Sequence, residues 1–280
     1  ITFRLLDFAD LTVDGSIATC AAVSVMLIRA GVSPIATLPI AFLAGALAGM
    51  VTGLLNTALG IPGILASILT QISLYSINLN IMGKANQPVS VDNYPLVVSL
   101  RYVTDGSVSR LLFFLGMIVF LLALIAVMYW YFGTEQGHAI RATGCNSNMA
   151  RAQGINTNFI KVLALMISNG LVGLCGALYG QFQGASDVNM GLGAIVIGLA
   201  AVIIGEVLFG KFASKRKLAF AFTLASVILG AVIYYMVYQF VLWLKMPSED
   251  MKLFSAIVVA IFLAIPYLKE KRTLRKGASK

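Results

Sequence analysis

"GALAGMVTGLLNTALGIPGILASILT", residues 45 to 70, is 26 residues long and carries no charge. Its glycines Gly45, Gly49 and Gly53 stand four apart, and the run Gly60-Ile61-Pro62-Gly63 divides the stretch in two. A spacing of four places the three glycines on one face of an α-helix, and a Gly/Pro cluster ends one helix and begins another. Extended by its apolar flanks, each half reaches the ~20 residues that a helix needs to cross a bilayer. The stretch therefore reads as two membrane helices joined by a tight break, over 35–59 and 62–83.

The rest of the chain has the same character. Of its 280 residues 59% are hydrophobic and 11% charged, with a mean hydropathy of +0.92, against roughly 45–50% apolar and roughly 25% charged in soluble domains. A soluble chain of this length would leave the surplus apolar surface exposed as aggregating patches, which lipid instead covers. Further spans are expected at 15–30, 110–133, 160–183, 191–210, 218–244 and 253–268, eight in all. No ten-residue alternation of the barrel kind appears. The expected fold is an all-α, polytopic integral membrane protein, one domain over 1–280. Ile1 follows no signal-peptide pattern, and one more spanning helix is expected upstream of it.

The net charge of +9 sits in short clusters between apolar runs, with no basic stripe interleaved with aromatics, so nucleic acid is not the expected partner. Membrane orientation accounts for the clusters. Fourteen of the 20 Lys and Arg residues fall on one side: Arg4, the loop 134–161, the loop 211–217 and the basic tail 269–280. That side is expected to be the cytoplasm. Cys20, Cys145 and Cys175 have no paired or metal-like spacing and read as small apolar residues.

"GALYGQFQGASDVNMGLGAIVIGLAAVIIG", residues 176 to 205, repeats the plan of 45 to 70: a glycine-spaced helix, a break, an apolar helix. By the charge count the two copies run in opposite directions, so an inverted-repeat bundle is expected, with a pathway at the repeat interface. The stripes Gly45/Gly49/Gly53 and Gly176/Gly180/Gly184 read as close helix packing, which is also compatible with a dimer seam. "GEVLFGKF", residues 205 to 212, has phosphate-loop spacing but lacks the hydroxyl after Lys211 and the strand–loop–helix context, so it is rejected. Glu206 near the end of a span is a candidate functional acid unless Lys211 neutralises it. Asn56, Gln71 and Asn169 are polar residues inside spans, suited to inter-helix hydrogen bonds or to lining a pathway. His138 has no partners for a metal site or a triad, and neither HExxH nor paired intramembrane aspartates occur. No enzymatic chemistry is expected of this chain.

Residues 139 to 161, "AIRATGCNSNMARAQGINTNFIK", interrupt the apolar pattern. "NSNMARAQG" predicts two helical turns, capped by Asn146 or Ser147 and stopped at Gly154, with Met149, Ala150 and Ile155 as a modest apolar face. Such a helix across the mouth of a bundle suits docking into a groove on a soluble partner; an ordinary connector is the plain alternative.

"RATGCNSNMARAQGINTNFIKVLALMISNGLVGLCGALYGQ", residues 141 to 181, resembles the coupling segment and following helix of the permease subunits of ABC importers of the branched-chain amino acid and ribose type. Gly144, Asn146, Ala150, Gly154, Ile155, Asn156 and Lys161 fill the pattern. "GLGAIVIGLAAVIIGEVLFG" is similar to the family's glycine-rich helix, with Glu206 where many members have glycine. The opening "ITFRLLDFADLTVDGS" resembles a subgroup linked to tryptophan or tyrosine.

The resemblance implies a permease homodimer in the bacterial inner membrane, multi-pass, with its C-terminus cytoplasmic. It implies a pair of cytoplasmic ATPase subunits that carry ATP and Mg, an extracytoplasmic solute-binding protein, and no cofactor in this chain. On that reading 139–158 is the cytoplasmic coupling segment, with Arg141, Gly144, Asn146, Ala150, Arg151 and Gly154 meeting the ATPase, and Asn56, Gln71, Asn169 and Glu206 are the pathway candidates. An ion-coupled secondary transporter is the alternative, set back by the scarcity of mid-membrane acids.

Overall fold

The computed structural model describes residues 1–89, 94, 96–99, 107–213 and 219–243, with the single positions 260 and 264. Nine α-helices occur among them: α1 Thr12–Arg29, α2 Pro34–Thr57, α3 Gly63–Met82, α4 Ser107–Tyr131, α5 Glu135–Cys145, α6 Ser147–Ala152, α7 Thr157–Gln183, α8 Ala194–Ala213 and α9 Ala219–Trp243. Two three-residue strands, β1 Asn86–Pro88 and β2 Ala185–Asp187, pair antiparallel with Gln87 opposite Ser186. Among the described residues six helices are long and apolar enough to span a membrane, and α8 adds the shorter apolar stretch Ala194–Leu208. Seven of the eight expected spans thus coincide with a helix. The eighth, 253–268, and the basic tail lie outside the described residues, positions 260 and 264 excepted.

Local chemistry sets the helix ends. α2 opens with Pro34 at its first turn, where a missing N–H costs nothing. Gly83 and Gly184 close α3 and α7 in the left-handed region, at φ 66° and 67°. The break between α2 and α3 is held by Asn56, whose Nδ2 donates to the Ile61 carbonyl at 2.8 Å.

The chain divides into two compact units, Ile1–Ala123 with Trp130–Leu192, and Leu124–Tyr129 with Gly193–Lys280. In the first, α2 and α7 pack antiparallel through bare backbone. A Cβ on Gly45 would lie 2.2 Å from the Asn169 carbonyl oxygen, one on Gly49 2.2 Å from that of Leu165, and one on Gly53 2.9 Å from the Val162 Cα. The glycines of α7 pack in turn against α1 and α2. Gly176 meets the Ile17 carbonyl, Gly180 meets Ala21, and Gly173 meets the Ala41 carbonyl and Cys20. Lipid supplies no hydrophobic drive between helices, so such close approach is what holds them. Gly45, Gly49 and Gly53, with Gly176 and Gly180, are therefore consumed inside one chain and are not left for a dimer seam. α1 is the helix enclosed by this packing: Ala18, Cys20, Ala21, Ala22, Val25 and Ile28 are all buried.

Two features of the first unit depart from simple spanning helices. Thr12, at the start of α1, shares a hydrogen bond with Thr52 of α2, which donates in turn to Thr70 of α3. Thr70 lies seven residues into α3, so α1 begins about 10 Å along it at 1.5 Å per residue. After β2, the chain descends beside α1 without helical structure: Val188 packs with Ala22 and Met82, and a Cβ on Gly191 would touch the Asp14 carbonyl. In the second unit α8 and α9 pair antiparallel, Gly205 against the Ser226 carbonyl and Gly230 against that of Ala201, with Ile204 and Tyr234 buried between them.

Candidate functional site: a capped helix at one end and a polar cleft within

The interruption at 139–161 folds as two short helices at one end of the first unit. α6 matches the two-turn expectation closely. Asn146 caps it, its Oδ1 accepting from the N–H groups of Asn148 and Met149 at 3.1 and 3.0 Å. Gly154, at φ 84°, stops it. The Ile155 N–H reaches the Ala150 carbonyl and the Gly154 N–H that of Arg151, at 3.1 and 3.0 Å, the paired bonds of a Schellman ending. Arg151 donates from Nη2 to Thr157 Oγ1 at 3.1 Å, which ties α6 to the first turn of α7.

The helix α5 before it was not legible as one. Thr134 caps it weakly, accepting from the Gly137 N–H at 3.4 Å. Its mixed composition shows neither a membrane span nor a clean amphipathic stripe. The six expected coupling residues split between two directions. Asn146, Arg151 and Gly154 are exposed; Ala150 is buried; Gly144 is half-buried against the Leu5 carbonyl, and Arg141 is half-buried with its guanidinium 5.8 Å from the centre of the Phe132 ring. The modest apolar face is likewise divided, since Met149 is exposed and Ala150 turns inward.

The pathway candidates also separate. Asn56 holds the α2–α3 break, as above. Asn169 is fully buried in a hydrogen-bond cluster: its Oδ1 accepts from Ser16 Oγ at 2.7 Å, and its Nδ2 donates to Asp10 Oδ2 at 2.8 Å and to the Leu165 carbonyl at 3.2 Å. Glu206 is half-buried on α8, in the other unit; the Lys211 side chain lies outside the described ones. Gln71 lines open space. It borders a cleft of about 320 Å³ with Asp14 and Gly15 of α1, Ile72, Tyr75 and Asn78 of α3, and Val188, Asn189 and Leu192 of the descending segment.

Sequence reasoning missed Asp10, Asp14 and Gln181. Asp10 is buried, and its second oxygen accepts from the Thr12 N–H at 3.0 Å. Gln181 is buried toward the strand-paired end. There its Nε2 lies within 3.2–3.3 Å of Ser24 Oγ, the Pro34 carbonyl and Thr37 Oγ1, while its Oε1 accepts from the Val97 N–H. The signal for Asp10 was a charge just ahead of an apolar run. It was hidden because α1 begins inside the bundle and not at its edge.

These features define a polytopic helical membrane protein of the transport kind: tightly seamed helices, buried polar clusters, a chain descending unwound beside a helix, and a rigid short helix presented at one end. The family described as "Branched-chain amino acid transport system / permease component" matches residues 1–266, and the chain belongs to it. A tyrosine transport system permease protein of Clostridioides difficile is 39% identical over 264 residues, 94% of this chain and 84% of that one. An uncharacterized protein of Rickettsia prowazekii is 31% identical over 268 residues, 94% and 90% of the two chains. The autoinducer 2 import system permease protein LsrC of Yersinia pseudotuberculosis is 27% identical over 242 residues, 85% of this chain and 64% of that one. No solved structure matches. As a multi-pass permease component of the inner membrane, the chain is not itself the catalytic subunit of its system.

Proposed function

We propose that this permease imports a small amino acid, of the aromatic kind, driven by ATP hydrolysis on separate subunits. The observation that carries the reading is α6. It is fixed at both ends, by the Asn146 cap and the Gly154 ending, and it presents Met149 and Arg151 outward. A rigid exposed helix is suited to a groove on a soluble partner, and the relative named for tyrosine transport supports the solute class. Two copies of the permease, an ATPase pair holding ATP and Mg, and an extracytoplasmic solute-binding protein complete the assembly. The α5–α6 end and the C-terminus face the cytoplasm, and closure of the ATPase pair pushes on α6. Because α6 is tied to α7 by Arg151 and Thr157, and α7 is seamed to α2 and α1 through glycine, the push reaches the bundle as displacement of packed helices. Asn146, Arg151 and Gly154 carry the contact. Arg141, Gly144 and Ala150 hold α5 and α6 against the chain's own body.

The ion-coupled alternative gains Asp10 as a buried acid, but both of its oxygens are engaged by Thr12 and Asn169. The separating experiment is uptake of labelled tyrosine into cells that express the permease with its ATPase and binding protein, beside co-purification of the ATPase. Uptake that stops when the ATPase is inactivated, with the ATPase retained on the permease, supports the proposal. Uptake that follows an ion gradient without an ATPase refutes it.

A further inference from the structure

The cleft beside α1 has a specific chemical make-up. Asp14, half-buried in the first turn of α1, supplies a carboxylate; Gln71, Asn78 and Asn189 supply carboxamides; Tyr75 and Leu192 supply apolar surface. Among the described residues no Lys or Arg lines it. Asn78 stands out. It is 1% exposed on the cleft wall, and neither its side-chain nitrogen nor its oxygen has a hydrogen-bond partner. A carboxamide buried with all its polar atoms idle is rare, because it forfeits the hydrogen bonds it had with water. At the wall of a cleft it is explained by a visitor that supplies both a donor and an acceptor.

We propose that this cleft is a transit site for a zwitterionic amino acid, with Asp14 and the Asn78 Oδ1 accepting from the ammonium group and the Asn78 Nδ2 and the Gln71 carboxamide donating to the carboxylate. A carboxylate aids a cationic group and opposes an anionic one, and the amides can donate to the solute's carboxylate without a fixed positive charge that would hold it. The apolar wall formed by Tyr75, Ile72 and Leu192 receives the side chain. A volume of about 320 Å³ suits a single small solute. The inference rests on the importer reading for its choice of solute class, while its test does not depend on ATP.

The test is saturation-transfer NMR on the full permease in lipid nanodiscs, with tyrosine and leucine at millimolar concentration beside their des-amino analogues, 3-(4-hydroxyphenyl)propionate and 4-methylpentanoate. The expected result is transfer to the amino acids at least fivefold stronger than to the des-amino acids. That preference should be lost in Asp14→Asn, and amino acid signals should fall at least threefold in Asn78→Leu. Equal transfer to both solute classes in the wild-type protein overturns the proposal, and this comparison needs no variant to fold. Unchanged signals in both variants also overturn it. Failure of ATP-driven uptake with an intact amino-group preference would overturn the importer reading and leave the site standing.

Discussion

Gly49 offers the sharpest test of the α2–α7 seam. A Cβ placed there would sit 2.2 Å from the Leu165 carbonyl oxygen, 2.7 Å from its carbon and 3.0 Å from the Asn169 Cβ. A carbon and a carbonyl oxygen in ordinary contact stand about 3.3 Å apart, so Gly49→Ala must open the seam locally by about 1 Å. A gap of that size forfeits roughly a quarter to a half of the dispersion energy of the contacts it loosens, and overpacking in a tight core costs about 1–3 kcal/mol. Against this, alanine gains up to about 1 kcal/mol over glycine in helix propensity, leaving a net loss of up to about 2 kcal/mol. Gly116 on α4 is the control: nothing lies within 4 Å of a Cβ there, so Gly116→Ala keeps only the propensity gain. In thermal melts of the purified permease followed by size-exclusion fluorescence, Gly49→Ala should lower Tm by up to roughly 8 °C and should melt roughly 2–12 °C below Gly116→Ala, at the 2–4 °C per kcal/mol of large domains, while Gly116→Ala should hold or raise Tm. If Gly49→Ala melts like Gly116→Ala, or changes only the oligomeric state, the seam does not lie within the chain and the reasoning fails.

The remaining predictions concern coupling and buried polarity. Gly154→Pro imposes a φ near −65° on a residue at 84° and removes the N–H that reaches the Arg151 carbonyl; ATP-driven uptake should be abolished while the melting profile and membrane insertion persist. Arg151→Glu replaces the outward guanidinium and its bond to Thr157, and should weaken retention of the ATPase in pull-downs along with uptake; full ATP-coupled uptake would count against the docking role of α6. Asn146→Ala removes the acceptor for two N–H groups, at about 1 kcal/mol, so hydrogen exchange at Asn148 and Met149 should rise about fivefold. Asn169→Leu deprives Ser16 and Asp10 of their partner. With a buried carboxylate left under-bonded, it should cost about 3 kcal/mol or more and appear as lost expression or a melt lowered further than that of Gly49→Ala.

Much of this architecture was legible in the residues because membrane helices leave a coarse signal: α2, α3, α7 and α9 fall within a few residues of the apolar runs that announce them. The α6 cap and stop were readable for another reason, since Asn146 and Gly154 act through local backbone chemistry. The polar residues were harder to rank. Asn56, Gln71 and Asn169 look equivalent as amides in apolar surroundings, yet one closes a turn, one borders a cleft and one anchors a buried cluster. The difference is made by neighbours up to 159 positions away, as between Asp10 and Asn169. Asp14 escaped notice for the same reason. It stands at the start of a span, where an acid usually meets water, and only the entry of the chain before α1 into the bundle turns it toward a cleft.

The unwound descent of 188–193 beside α1 carries its own bracing. Peptide groups outside regular structure are not tolerated in oil unless protein or water attends them, and here the strip attends to its own: the Met190 and Leu192 N–H groups reach the Asp187 and Asn189 carbonyls and the Asn189 N–H reaches the Asp187 carboxylate, while Gly191 lies close against the α1 backbone. The strip's turns consequently hold by themselves, and among its ties to α1 is the bare fit at Gly191, which a side chain there would spoil. Gly184 and Gly193, at φ 67° and 89°, bracket this self-braced strip with left-handed turns that a residue bearing a side chain would adopt only under strain.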